Sequence, residues 1–391
     1  MAPVSKSALR LTRLKIRNWR NFRDVEVSLG KRGFFVGPNA SGKSNLLDAV
    51  RFLRDLVKPV GGGLAAAVEN RGGLPKLRSL YARGTRTDVV IEVDVGDDSN
   101  PRQWSYRVSF TRLGRDDFAS VTEEVVRKNG VEIVAQRRSE SDDQQRLSQT
   151  LIQQAGQNAE FRELAAFFQS IRYLHIVPQI VRDARRALDK GEDPYGGDLL
   201  ERINATPPKT RNARLRRISE ALRIAVPQFV NLELEVDKKG SPHLKVHFKH
   251  WRPNPTSQNE SQLSDGTLRL IGFLWSTSER EGPLLLEEPE LSLHEDVARQ
   301  LPVMIARMQR HSARQVLMTT HSEAIVGEGG IGLNEVFRLE PGENGTTIQI
   351  ASENEQVSEL VKAGFTVGQA LMPLARPANV EQLSLFDVVA S

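Results

Sequence analysis

The sequence predicts an α/β fold: a mixed sheet around a phosphate-binding loop, an antiparallel β-meander lobe and a helical insertion. Three observations predict it. "GFFVGPNASGKS" (33–44) leads an apolar run through a glycine-rich turn to a lysine and a serine. The runs "TDVVIEVDVGDD", "WSYRVSFTRLG" and "EEVVRKNGVEIVAQRR" alternate apolar and polar residues, the period of strands with one face in a core. "GPLLLEEPELSLH" (282–294) ends an apolar run on two adjacent carboxylates, which calls for a positive group beside them.

Taken in order, residues 9–18 and 24–29 alternate as strands, and 33–37 form a short apolar strand ending in glycine. A helix from Lys43 places Leu46, Leu47, Val50, Leu53 and Val57 on one face. Pro59 and the glycines at 61–63 stop it. The three alternating runs form a meander, and Asn129-Gly130 marks a tight hairpin within it. Residues 136–158 are polar and rich in Gln and Ser, either a solvated helix or a loop. A helix (159–170) and a strand (171–177) follow.

Residues 178–228 read as a helical insertion, 231–249 as a hairpin around "KKGSP" and 251–262 as a loop. A helix (266–280), the strand 284–288, a helix (296–310) and the strand 314–320 come next. The last elements are a hairpin over "EVFRLEPGENGTTIQI" and a helix from 354 to 371, before a loose tail from Pro373. By motif the chain divides into 1–58, with the phosphate loop; 59–177, the β lobe and a helix; 178–255, the helical insertion and hairpin; 256–372, the second half of the phosphate-binding head; and 373–391, the tail.

With 391 residues, 39% hydrophobic and 26% charged, the chain has the composition of a soluble globular protein with a sizeable core. The absence of cysteine excludes disulfides, thiolate metal sites and a cysteine nucleophile. No apolar run reaches the length of a membrane span, and "MAPVSKSALR" lacks a secretory core; a cytoplasmic location is expected. The net charge of +5 leans towards anionic partners, so local clustering has to carry any nucleic-acid argument.

"GPNASGKS" (37–44) fits G-x-x-x-x-G-K-[ST] between a strand and a helix, the context the motif requires. Backbone N–H groups from Asn39 to Lys43 can wrap phosphates, and the helix N-terminus adds positive potential. Gly37, Pro38, Asn39, Ala40, Ser41, Gly42, Lys43, Ser44 and Asn45 are the candidate ATP contacts. Lys43 reaches the β- and γ-phosphates and Ser44 offers its hydroxyl to Mg²⁺. The paired acids then find their positive group: Glu287 holds the Mg²⁺ shell and Glu288 polarises the attacking water.

These residues resemble the ABC-type ATPases of the SMC/RecF/OLD group, and OLD-like members especially. The opening "KIRNWRNFRDVEVSL", the early phosphate loop, "SQLSDGTLRLIGFL" (261–274), "LLLEEPELSLH" and "MTTHS" (318–322) occur in that group's order. The resemblance implies an ABC-type ATPase head, hydrolysing ATP with Mg²⁺ as a homodimer. In it Ser264, Asp265 and Gly266 are the signature that closes on the nucleotide of a facing subunit. Asp265 departs from the glycine common there, and His294 stands where ordinary ABC proteins carry an aspartate. His321 is implied as the switch histidine, Gln179 as the Q-loop ligand to Mg²⁺, and Arg20 and Phe22 as an adenine lining. Taken alone, Ser264 and Asp265 read as an ordinary helix N-cap.

OLD proteins carry a Toprim nuclease after the ATPase; about 70 residues follow His321 here, so a nuclease partner acting in trans is expected. Between Arg202 and Ser219 lie six basic residues and no acid. Of these, Lys209, Arg211, Arg214, Arg216 and Arg217 are the candidate DNA contacts, or else a solvated helix face. Gln382, Leu383, Leu385 and Phe386 in "EQLSLFDVVAS" resemble the peptide by which bacterial proteins dock on the sliding clamp. The expectation is an ATP-dependent, dimerising ATPase acting on or near DNA, in repair or in defence against foreign DNA. The rival is an ATP-binding regulatory scaffold with slow hydrolysis and no direct DNA contact.

Overall fold

The computed structural model describes residues 9–82, 87–112, 118–138, 143–154, 156, 159–183, 193–249, 256–279, 282–377 and 380–385. The chain forms two compact units. The first comprises Met1–Arg172, Glu281–Leu285 and Ala313–Ser391, and the second Tyr173–Arg280 and Leu286–Ser312. Along the chain run β1 (Arg10–Trp19), β2 (Phe22–Ser28), β3 (Arg32–Val36), β4 (Val89–Gly96), β5 (Trp104–Arg112), β6 (Ala119–Lys128), β7 (Val131–Arg137) and β8 (Arg172–Leu174). Then follow β9 (Phe229–Val236), β10 (Pro242–Phe248), β11 (Thr256–Asn259), β12 (Leu284–Glu287), β13 (Val316–Thr319), β14 (Val336–Glu340) and β15 (Thr347–Ile350).

The meander is antiparallel, in the order β2-β1-β4-β5-β6-β7. The first two strands of the chain therefore extend the lobe built by the middle runs. Its hairpin turns on Asn129 (φ 52°) and Gly130 (φ 82°), the positive pair that a two-residue turn between twisted strands demands. The second six-stranded sheet has the order β15-β14-β3-β13-β12-β8. Strand β3 lies between β13 and β14 and is parallel to both, while β15 returns antiparallel on β14. In the first unit the buried Gln315 ties the two sheets together: its amide donates to the carbonyls of Leu11 and Gly30 (both 2.7 Å) and its Oε1 accepts from Leu11 N (3.0 Å).

The helix Lys43–Val57 is buried more widely than one apolar stripe implies. Ala49, Phe52 and Leu56 are covered as well as Leu46, Leu47, Val50 and Leu53, whereas Val57 is half-exposed. Phe52 meets Trp19 edge-on (5.3 Å) and stacks on Phe110 (5.4 Å). The Arg71 guanidinium lies 5.1 Å from the Phe52 ring and pairs with Asp48 and Asp55 of the same helix. These contacts fix the helix, and so the loop at its start.

In the second unit β11-β10-β9 form a small antiparallel sheet. Strand β11 falls where the sequence suggests a loop; "TSQN" has no apolar alternation, and only its partner β10 makes it a strand. The helix expected over 354–371 is two helices, Glu355–Lys362 and Val367–Leu371. Gly364 (φ 102°) breaks them, and Thr366 and Gln369 form a reciprocal cap that starts the second. Among the described residues no helix is long and apolar enough to cross a membrane.

Candidate functional site

The phosphate loop leaves β3 at Val36 and enters its helix at Lys43. Ala40 (φ 61°) and Gly42 (φ 97°) bend it. A Cβ on Gly42 would lie 2.0 Å from the Asn21 amide nitrogen, so only glycine fits. Asn21 braces the loop: its Nδ2 donates to Ser41 O (2.9 Å) and Thr346 Oγ1 (2.7 Å), and its Oδ1 accepts from Asn45 Nδ2 (2.7 Å). Sequence reasoning missed Asn21; its signal was a place beside Arg20 and Phe22 in "NWRNF".

Gly42 gives the helix start no side-chain cap, and the positive potential of a helix start suits an anion. Lys43 is buried, its Nζ donating to the carbonyls of Gly37 (2.9 Å) and Pro38 (3.0 Å). Ser41 Oγ is buried without a hydrogen-bond partner, while Asn39, Ala40 and Ser44 are exposed. A helix start without a side-chain cap, the Ser41 hydroxyl and a loop-bound ammonium fit a polyphosphate. His321 follows β13 and is exposed; β13 runs parallel beside β3 with Thr319 opposite Phe35. The phosphate loop and His321 thus leave the same end of adjacent strands.

Two expectations here need correction or qualification. Phe22 is fully buried in the core because β2 begins with its side chain turned inward, leaving no ring face for adenine. Arg20 (φ 49°) is half-exposed, but its guanidinium is engaged by Asp48 (3.1 Å).

In the second unit Glu287 ends β12 and accepts a hydrogen bond from the Tyr173 hydroxyl. His175 Nδ1 lies 3.3 Å from the Glu287 carbonyl oxygen, a contact that the Nδ1–H tautomer makes as donor. Burial holds the His175 imidazole below its usual range. Glu288 adopts φ 42°, a left-handed conformation rare for a side chain of its size. Desolvation lowers the Arg269 guanidinium's pKa, against the opposing pull of Asp265, Glu288 and Glu290. Tyr173, His175 and Arg269 were not singled out in sequence; β8, the residue just after it and the helix Asp265–Ser278 carry them to the acids from distant positions.

Ser264 caps the helix Asp265–Ser278 and is exposed, its Oγ accepting from Thr267 N (3.3 Å). Arg182 Nη2 donates to Leu263 O (2.7 Å) and to Asp265 Oδ1 (2.6 Å). A Cβ on Gly266 would meet Ser292 O at 2.4 Å, so the loop after the acids presses on this helix start. Gln179 is exposed on the short helix Pro178–Arg182. His294 is exposed and caps the helix Glu295–His311, accepting from Asp296 N (3.2 Å).

The basic run lies on the helix Pro208–Ala225. Lys209, Arg214 and Arg217 line a cavity of about 900 Å³ with Thr277, Ser278 and His311. The Arg214 guanidinium sits 5.3 Å from the Trp275 ring. Arg211 instead turns to Asn204, donating to its carbonyl (3.1 Å), and Arg216 is exposed. In the tail, Gln382 is exposed on a 3₁₀ turn, Val380–Leu385. Phe386 and the side chains of Leu383 and Leu385 lie outside the described residues.

A family model described as "AAA domain, putative AbiEii toxin, Type IV TA system" matches residues 34–327. A second, "P-loop containing region of AAA domain", matches residues 11–54. Among solved structures, the chain is similar to an Smc head bound to the C-winged helix domain of ScpA: 14% identity, 87% of this chain and 96% of that one, TM-score 0.52. It is similar to the Pyrococcus furiosus Smc head domain with an extended coiled coil, bound to the C-terminal domain of ScpA: 12% identity, 91% and 100% covered, TM-score 0.52. The Pyrococcus yayanosii Smc head domain with a coiled coil and joint gives 12% identity, 91% and 100% covered, and TM-score 0.50. At these identities the likeness is one of fold, and the fold is that of an Smc head domain. No curated protein matches the chain.

Proposed function

The chain belongs to the AAA-domain family whose pattern spans residues 34–327, and from that premise we propose that it hydrolyses ATP to ADP and phosphate. Two copies close on ATP and act on or near DNA, in repair or in defence against foreign DNA, with a nuclease partner in trans. The observation that supports hydrolysis is the braced loop with buried Lys43 and an uncapped helix start. Lys43 moves from the Gly37 and Pro38 carbonyls to the β- and γ-phosphates, and the N–H groups of residues 39–43 hold the remaining oxygens. Mg²⁺, when bound, neutralises phosphate charge, and Ser44, Glu287 and Gln179 are the residues to hold it. Tyr173 orients the Glu287 carboxylate through its hydroxyl. Glu288 accepts a hydrogen bond from the attacking water and polarises it, and His321 steadies the γ-phosphate end. Ser264 and the Gly266 N–H close on the nucleotide of the facing copy.

Lys209, Arg214 and Arg217 offer their cavity to DNA phosphates, and the tail from Gln382 to Phe386 docks on the sliding clamp. The test of the core reading uses two variants. Glu288→Gln is expected to lower turnover by at least about a hundredfold while an ATP-bound dimer accumulates in light scattering. Lys43→Ala is expected to form no ATP-dependent dimer at all. A Lys43→Ala protein that hydrolyses ATP like the parent removes the proposal. A parent that dimerises on ATP but turns over no faster than Glu288→Gln favours the scaffold reading.

A further inference from the structure

We infer that Arg182 is a positioning residue for ATP-driven closure: it sets the start of the helix Asp265–Ser278 and neutralises Asp265 there. This rests on the reading that Ser264 and Gly266 meet the facing copy's phosphates. One guanidinium nitrogen of Arg182 reaches the residues on both sides of Ser264, Leu263 through its carbonyl and Asp265 through its carboxylate. Ser264's own hydroxyl turns to its own helix, accepting from Thr267 N and meeting Thr267 Oγ1 (2.8 Å), where either oxygen can donate, so its proton stays available to a phosphate. It therefore does nothing to fix the direction from which the chain enters the helix; Arg182 does.

The other side of the helix start is fixed by backbone. Gly266 abuts the Ser292 carbonyl with no room for a Cβ, and Ser292 holds φ 62°. The helix start is thus wedged between Arg182 and the loop that follows the paired acids. Charge gives Arg182 its second task. A carboxylate in the first turn suits the helix dipole but repels an incoming phosphate. Asp265 is such a carboxylate, half-exposed beside the exposed Ser264. A guanidinium at 2.6 Å cancels that charge where the phosphate approaches. Arg269, one turn along, also faces Asp265, but it is shared with Glu288 and Glu290.

Arg182 ends the same five-residue helix that carries Gln179.

The experiment measures ATP-driven dimerisation in the Glu288→Gln background, with nucleotide affinity measured separately at protein concentrations too low for pairing. Arg182→Ala is expected to weaken dimerisation on the order of tenfold, with nucleotide affinity and Tm unchanged. Adding Asp265→Asn to Arg182→Ala is expected to restore most of the loss, because the uncancelled charge is gone. Unchanged dimerisation in Arg182→Ala overturns the inference. So does a loss that Asp265→Asn leaves in place, or one that follows a lowered Tm, since either marks a merely structural residue. Lys43→Ala separates the two levels: if it dimerises on ATP, the underlying reading fails; if it does not and Arg182→Ala matches the parent, this inference alone fails.

Discussion

Glu124 on β6 is fully buried in the first unit. It accepts hydrogen bonds from the Tyr106 hydroxyl (2.8 Å) and the backbone N–H groups of Leu151 and Ile152. Desolvation outweighs these donors and pushes its pKa from 4.5 up to about 7. The folded state therefore keeps a proton that the unfolded chain has lost between those values. The resulting stability is fully present below about pH 4.5, falls as pH rises, and is gone above about pH 7. The swing is on the order of 3 kcal/mol. Unfolding midpoints of the parent and Glu124→Gln between pH 5 and 8 check this: the parent is expected to lose stability across that window more steeply than the variant. Nothing in "TEEVV" announces the burial, because the polar Glu123 and Glu124 are told apart only by the segment at 151–152 closing over one of them. By contrast Gly37, Lys43 and the paired acids are legible as residues, since their chemistry depends on type and spacing.

At the scale of elements, the helix Lys43–Val57 serves two masters. Its N-terminus belongs to the phosphate loop, and its Phe52 belongs to the aromatic cluster with Trp19 and Phe110. Phe52→Ala is expected to destabilise the fold by about 3–5 kcal/mol and to weaken nucleotide binding, because the helix start shifts with its anchor. Chemical denaturation and nucleotide titration of the same variant check both effects, and a destabilised protein with parent-like affinity would show the loop to be held independently by Asn21. The hairpin at Asn129-Gly130 and most strand positions are legible from local pattern. Strand β11 and the break at Gly364 are not: the first depends on a partner strand, and the second was hidden by the apolar spacing on either side, although the Thr366–Gln369 cap is a local signal that points to it.

At the scale of the whole molecule, the basic run of the sequence lies on the helix Pro208–Ala225. Lys209 and Arg217 are exposed at the cavity and Arg214 is steadied by Trp275. If this cavity meets DNA, reversing Lys209 and Arg217 to Glu is expected to weaken DNA binding at least about tenfold and to reduce the salt slope by about 2. Fluorescence anisotropy across a salt series measures this, with ATP turnover in the absence of DNA as the control that stays at the parent value. The sequence by itself determined the α/β class, the phosphate loop, the paired acids and the order of the motifs, because each is written in local periodicity or fixed spacing. Its segments divide the chain by motif; the two compact units divide it by packing. The tertiary structure alone decided which side chains serve those motifs. Asn21 against Gly42, Tyr173 on Glu287 and Arg182 on Asp265 are contacts between residues about 20 to 110 positions apart. No local pattern encodes such pairs, because their geometry exists only once sheets and helices have packed.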